Sequence, residues 1–234
     1  MDVTSPHPLA NEPGRTTDQG ARSGQGSLHR ALGIAVLLMA ASGSASAYTA
    51  TLTPASPQEI YLQVGVGSFT NDYIYGGQPG QNTTVNSVTA TVAPGVVGNN
   101  TPQAMTTNST ATISYWDGYT YCSVPGQLYI GGFFRTTGAA TAAAQVNATV
   151  PASLVDSTGD TIPFSTISWT SSGNGDSGAE PFPGGTFVNG GVQNVGSMAS
   201  NTWNESCWTF AYSNGTVPRV GTYTGVVLYT MSAP

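Results

Sequence analysis

Alternation between apolar and polar side chains at every second position is the strongest pattern in this chain. It is clearest near the end, where Trp208, Phe210 and Tyr212 alternate with other residues and segment 221–230 alternates again. Because a period of two places successive side chains on opposite faces of a β-strand, both segments are predicted to be strands. We expect them to form one long hairpin whose rings face a core, with Cys207 on the opposite face.

The same alternation recurs upstream between turns that are rich in glycine and proline. It predicts strands in eight further segments, which are 48–53, 59–68, 84–93, 110–116, 127–135, 138–150, 150–155 and 161–170. A turn at 156–160 joins the last two into a hairpin, a phase shift near Ser165 predicts a bulge, and 171–191 is predicted as a long loop. About eight to ten short strands are typical of an antiparallel β-sandwich, so an all-β, immunoglobulin-like sandwich is the predicted fold.

Residues 1–47 differ from the rest of the chain. A polar leader ends at His29 and Arg30, and an apolar run, 31–41, is followed by small residues that end in Ala-Ser-Ala. This order is typical of a secretory signal peptide, and the run is too short for a membrane span, which needs about 20 residues. We expect cleavage before Tyr48 and a single domain over 48–234, located in the periplasm, at the cell surface or outside the cell.

Charged side chains are rare after the predicted cleavage site. The chain has no lysine, both histidines lie before residue 48, and Arg135 and Arg219 are the only cationic residues after it. Eight acidic residues give this part a net charge of −6. Because nucleic-acid binding needs a patch of Lys and Arg, no nucleic-acid partner is expected.

Acidic residues are the remaining candidates for chemistry. Without His or Lys, the Ser-His-Asp, Cys-His and Schiff-base mechanisms are excluded for the predicted mature part. Paired carboxylates can hydrolyse glycosides or bind calcium, and the weak candidates for these roles are Asp156, Asp160, Asp176 and Glu180. Because all four lie in predicted turns, where acidic residues are ordinary, we expect no enzyme activity, no metal and no cofactor.

Cys122 and Cys207 are the only cysteines. Both lie in the part predicted to be exported, where oxidising conditions favour a disulfide. The alternative is a catalytic thiol, which usually needs a neighbouring cation to form the thiolate. We therefore predict a disulfide between them.

A cluster of aromatic residues surrounds the predicted turn at 117–118. It contains Tyr115, Trp116, Tyr119 and Tyr121 and ends beside a cysteine. Flat rings next to amide and hydroxyl groups suit the face of a sugar, so these rings are candidates for facing a ligand. The alternative is that they pack around the cysteine.

The first segment of the predicted mature chain is a candidate assembly strand. Tyr48, Ala50 and Leu52 alternate with threonines, and Pro54 and Pro57 separate them from the next strand. Such a strand could insert into the sheet edge of a neighbouring molecule, where backbone hydrogen bonds give affinity. The alternative is that it is the first strand of its own sheet.

Two segments, 155–169 and 221–234, resemble parts of bacterial exported immunoglobulin-like proteins, including fimbrial subunits and surface-filament components. Tyr223 lies where such domains carry a corner tyrosine. The chain departs from chaperone–usher pilins, whose cysteine pair lies in the N-terminal half. The resemblance implies a secreted structural or adhesive protein that binds itself or other surface proteins. A carbohydrate-binding module is the alternative, and a glycan hydrolase that uses carboxylates is a remote one.

Overall fold

Strands dominate the part of the chain that the computed structural model describes, which is residues 50–70, 78–80, 84–137, 143–176 and 178–234. The strands are β1 (Glu59–Val64), β2 (Phe69–Thr70), β3 (Gln78–Pro79), β4 (Val88–Thr89), β5 (Gln103–Ala104), β6 (Thr106–Thr107), β7 (Leu128–Arg135), β8 (Ala144–Val150), β9 (Ser153–Val155), β10 (Thr161–Pro163), β11 (Ile167–Ser172), β12 (Gly185–Thr186), β13 (Gly191–Met198), β14 (Trp203–Tyr212) and β15 (Leu228–Ser232). Two short 3-10 helices occupy Pro94–Val96 and Phe164–Thr166. The predicted signal peptide and Tyr48 lie outside the described residues.

Two antiparallel sheets form a sandwich. The large sheet has the order β1-β7-β14-β11-β12, with β5 also paired to β14, and the small sheet has the order β13-β8-β15. Side chains of β7, β8, β11 and β14 share one core between them, and the Trp208 and Tyr229 rings meet there at 5.9 Å. The predicted all-β antiparallel sandwich is therefore confirmed, while an immunoglobulin-like connectivity stays a prediction. In the described residues, no helix has the length and apolar character of a membrane span.

β14 shows why the aromatic alternation matters. Trp208, Phe210 and Tyr212 are buried in the core between the sheets. Cys207 lies on the opposite face, where it forms a disulfide with Cys122. The rings and Cys207 therefore lie on opposite faces of β14, and the predicted disulfide is confirmed.

The predicted hairpin over 202–231 is wrong. β14 pairs with β7 and β11 in the large sheet, whereas β15 pairs with β8 in the small sheet. The chain between them, 213–227, therefore passes from one sheet to the other. An alternating pattern determines which side chains share a face, but it does not determine which strand is the neighbour.

Elsewhere the boundaries differ from the prediction. The segment 84–93 pairs only at Val88–Thr89, and the segment 110–116 contributes one isolated bridge, from Ile113 to Thr120. The bulge predicted near Ser165 is a 3-10 turn, and β13 was not predicted. The hairpin of β9 and β10 and the alternating burial of β8 are confirmed. The Tyr223 hydroxyl donates to the Arg219 carbonyl at 2.8 Å, as a corner tyrosine does.

Candidate functional site

β15 is the outer strand of the small sheet. Among the described strands it pairs only with β8. Tyr229 and Met231 are half-buried against the core, and Leu228, Thr230 and Ser232 are exposed. One row of its backbone groups therefore points away from the sheet, which is the arrangement to which a further strand can add.

The other sheet edges carry features that discourage strand addition. β13 has a bulge between Asn194 and Gly196, and the Ser197 N–H donates to the Pro181 carbonyl at 3.2 Å. β1 carries Glu59, and β12 is only two residues long. β15, by contrast, contains no charged residue and no proline. Proteins usually protect exposed edges with charge, bulges, coverage or shortness, so β15 stands apart.

The outer face of the small sheet is uncharged. The strand register places nine side chains on it in three rows, which are Val192, Thr149 and Leu228; Asn194, Asn147 and Thr230; and Ser197, Gln145 and Ser232. Val192 and Leu228 flank the central strand from opposite sides and are 69% and 61% exposed. The two residues are similarly exposed, so the same substitution at each compares the β13 edge with the β15 edge.

The candidate assembly strand is seated in its own chain where it is described. Ala50 and Leu52 are buried beside Trp203. The Leu52 N–H donates to the Asn201 carbonyl at 2.9 Å, and the Trp203 N–H donates to the Ala50 carbonyl at 3.0 Å. This arrangement matches the alternative in which the segment adds to its own sheet. Tyr48 lies outside the described residues.

The four candidate aromatic residues do not share one exposed surface. Tyr121 is buried beside the disulfide, and Tyr115 lies 5.2 Å from the Tyr129 ring. Trp116 packs against a small apolar cluster that contains the Leu52, Phe133 and Trp203 side chains. Tyr119 is 76% exposed. Tyr115 and Tyr121 therefore pack near the disulfide, and of the four rings that of Tyr119 is the one exposed to face a ligand.

A buried carboxylate lies beside these rings. Glu205 accepts hydrogen bonds from Ser114 Oγ at 2.6 Å, Tyr129 OH at 2.7 Å and Trp203 Nε1 at 2.9 Å. The Tyr121 hydroxyl donates to the Glu205 backbone carbonyl at 3.1 Å. These bonds join β7, β14 and the chain before the disulfide, so Glu205 organises the outer face of the large sheet.

Burial determines the protonation behaviour of this group. It raises the pKa of the Glu205 carboxyl above its ordinary value, and the hydrogen bonds from Ser114, Trp203 and Tyr129 limit that rise. Burial and the nearby Glu205 charge also raise the pKa of the Tyr129 and Tyr121 hydroxyls. Both tyrosines therefore remain hydrogen-bond donors at physiological pH.

The four candidate acids are dispersed. Asp156 closes its turn by accepting the N–H groups of Thr158 at 2.9 Å and Asp160 at 2.8 Å. Asp176 is exposed, and Glu180 accepts a hydrogen bond from Ser206 Oγ at 2.8 Å. Within the described ranges, no group of three or more His, Cys, Asp or Glu residues is placed to hold a metal. The expectations of no metal and no enzyme activity stay predictions.

Known proteins provide no further guide to this site. No protein-family model, curated protein or solved structure matches the chain. The function is therefore inferred from the residues and contacts described above.

Two functional features were missing from the sequence prediction. Glu205 lies between Trp203 and Cys207 in a strand with period two, so all three share a face, and this spacing could have indicated its burial. The free edge of β15 had no comparable signal, because alternation is the same in edge and central antiparallel strands.

Proposed function

We propose that this chain is an exported structural or adhesive protein of a bacterial cell surface, a subunit that associates with copies of itself along β15. The edge of that strand, which carries no charge, no proline and no bulge, is the observation that supports the proposal. An exposed edge offers backbone N–H and C=O groups to another strand, and such pairing gives affinity without any special side chain.

A second copy of the chain is the partner that fits this edge. Antiparallel pairing of β15 with itself has two-fold symmetry, so the same surface serves both molecules. With the axis at Thr230, Leu228 of one copy lies opposite Ser232 of the other, and the two Thr230 residues face each other. Cross-strand threonine pairs are favourable. The uncharged strand also places no like charges in contact, although each mature chain carries a net charge of −6.

Lysine substitutions at the two edges of the small sheet test this proposal. Leu228→Lys places a charge on the β15 edge and should convert oligomers to monomers, because a lysine on an edge strand disfavours the addition of another strand. Val192→Lys is the matched control, since it changes a similarly exposed residue on β13. Sedimentation of the purified mature chain would measure the association. Pairing through β15 would be rejected if both variants lost association equally, or if the wild-type chain stayed monomeric at high concentration.

The surface role itself needs a separate measurement. Negative-stain electron microscopy of native protein from the cell surface and the medium should show regular assemblies that contain this chain. Isolated particles found only in the medium would contradict a surface subunit and would favour a soluble binding domain.

A saccharide-binding role has one observation in its favour, which is the exposed ring of Tyr119. Stacking on a sugar needs an accessible ring face. Retention on immobilised polysaccharide that is lost in Tyr119→Ala, and kept in Thr120→Ala at the neighbouring exposed position, would support this second function.

A further inference from the structure

A cavity of about 470 Å³ lies beside β13, at the edge of the small sheet opposite β15. Its polar lining consists of Glu180, Asn194, Ser197 and Asn204, and alanine, proline and glycine form the remaining walls. The volume falls within the roughly 300–1,000 Å³ that is usual for small-ligand sites.

One wall of the cavity is firmly held. The carbonyls of Pro181, Phe182 and Pro183 accept hydrogen bonds from Ser197 N at 3.2 Å, Trp208 Nε1 at 2.9 Å and Trp169 Nε1 at 2.9 Å, respectively. The Phe182 side chain is fully buried in the core. Because each carbonyl in this short segment is tied to a sheet, the wall is formed before any ligand arrives.

The Glu180 carboxylate is fixed by a buried partner. Glu180 Oε2 accepts a hydrogen bond from Ser206 Oγ at 2.8 Å, and Ser206 is completely buried. Among the described residues, Oε1 has no hydrogen-bond donor. One wall of the cavity therefore includes a fixed carboxylate that has an oxygen free to accept a further bond.

The free side-chain donors of the lining are few, namely the Ser197 hydroxyl and one N–H of Asn204. Asn194 Nδ2 is surrounded by four protein oxygens within 3.4 Å, and Asn204 Nδ2 donates to the Thr202 carbonyl at 2.9 Å. Pro181 and Pro183 have no N–H group. A sugar needs donors as well as acceptors from its site, whereas an ammonium group offers three donors, no acceptor and a positive charge.

We propose that this cavity binds a primary ammonium group, the side chain of a lysine on a partner protein. The chain has no lysine of its own, so a lysine side chain in this cavity must come from a different molecule. The negative net charge of the chain favours the approach of such a partner. The site goes beyond self-association, because β13 and β15 are opposite edges of the small sheet.

Calorimetry with two peptides tests the proposal. The probes are capped Gly-Lys-Gly and the same peptide with its lysine acetylated, titrated into the mature chain. The lysine peptide should bind and the acetylated peptide should not, because acetylation removes the charge and two donors. Glu180→Gln should weaken binding roughly tenfold or more, the usual range for a lost charged hydrogen bond.

Asp160→Asn is the control, since it removes one negative charge from an exposed hairpin turn that does not line the cavity. It should leave the affinity nearly unchanged. Equal weakening by both substitutions would show attraction by net charge alone and would overturn the proposal, as would equal binding of the two peptides or binding of neither. Leu228→Lys should keep peptide binding, so a failure of self-association and a failure of this site are distinguishable.

Discussion

Glu205 places a half-buried carboxylate among three hydrogen-bond donors, where water solvates it only in part. Three donors compensate for much of the lost hydration, yet burial still raises the pKa of this group. Asp176 is exposed, but partial desolvation and the charges of Asp117 and Glu180 raise the pKa of its carboxyl as well. Single residues thus make the stability of the fold depend on pH.

We expect the free energy of unfolding to increase as the pH falls from neutrality toward the ordinary carboxyl pKa of about 4. A carboxyl whose pKa is raised by folding binds its proton more tightly in the native state. Its favourable contribution is therefore complete below the unfolded-state pKa and is lost as the pH rises through the folded-state pKa. The slope should reach at most about 1.4 kcal/mol per pH unit for each group. Urea denaturation across this pH range measures it.

Glu205→Gln tests whether this residue is responsible, because glutamine does not titrate. The variant should have a flatter dependence of stability on pH. Asp160→Asn serves as the control, since it removes the same charge from an exposed hairpin turn. If the slope of Glu205→Gln equals that of the wild-type protein, the pH dependence has another source.

At the scale of elements, the disulfide connects the chain just before β7 to the middle of β14 across a separation of 85 residues. Closing a loop of this length removes much conformational freedom from the unfolded chain. We expect the double variant Cys122→Ala, Cys207→Ala to lose roughly 4–5 kcal/mol of stability in chemical denaturation. Wild-type protein unfolded under reducing conditions should lose a similar amount. A loss below about 1 kcal/mol would mean that the unfolded chain is not restrained by this bond.

The faces of strands could be predicted from the sequence, whereas their neighbours could not. Trp208 and Cys207 were placed on opposite faces correctly because a side-chain period of two is a local property. The partner of β15 depends on the path of the long loop before it, and the sequence does not encode that path as a pattern. Similarly, Glu180 was noted as a loop acid, but its bond to Ser206 joins residues distant in sequence.

At the scale of the whole molecule, the two proposed contacts should respond to salt in opposite directions. Self-association brings together two chains of net charge −6, so screening should strengthen it. Lysine binding joins opposite charges, so screening should weaken it. Sedimentation and calorimetry between about 10 mM and about 150 mM salt, over which the Debye length falls from roughly 30 to 8 Å, measure both. If added salt shifts both affinities in the same direction, the charges assigned to one of the two contacts are wrong.

The position of β15 after the other two strands of its sheet determines when its edge can exist. Synthesis proceeds from the N-terminus, so β8 and β13 are made earlier and can pair before β15 is available. A chain that stops short of Leu228 lacks the edge altogether. Molecules that stop before this strand would therefore be left out of any assembly built through it.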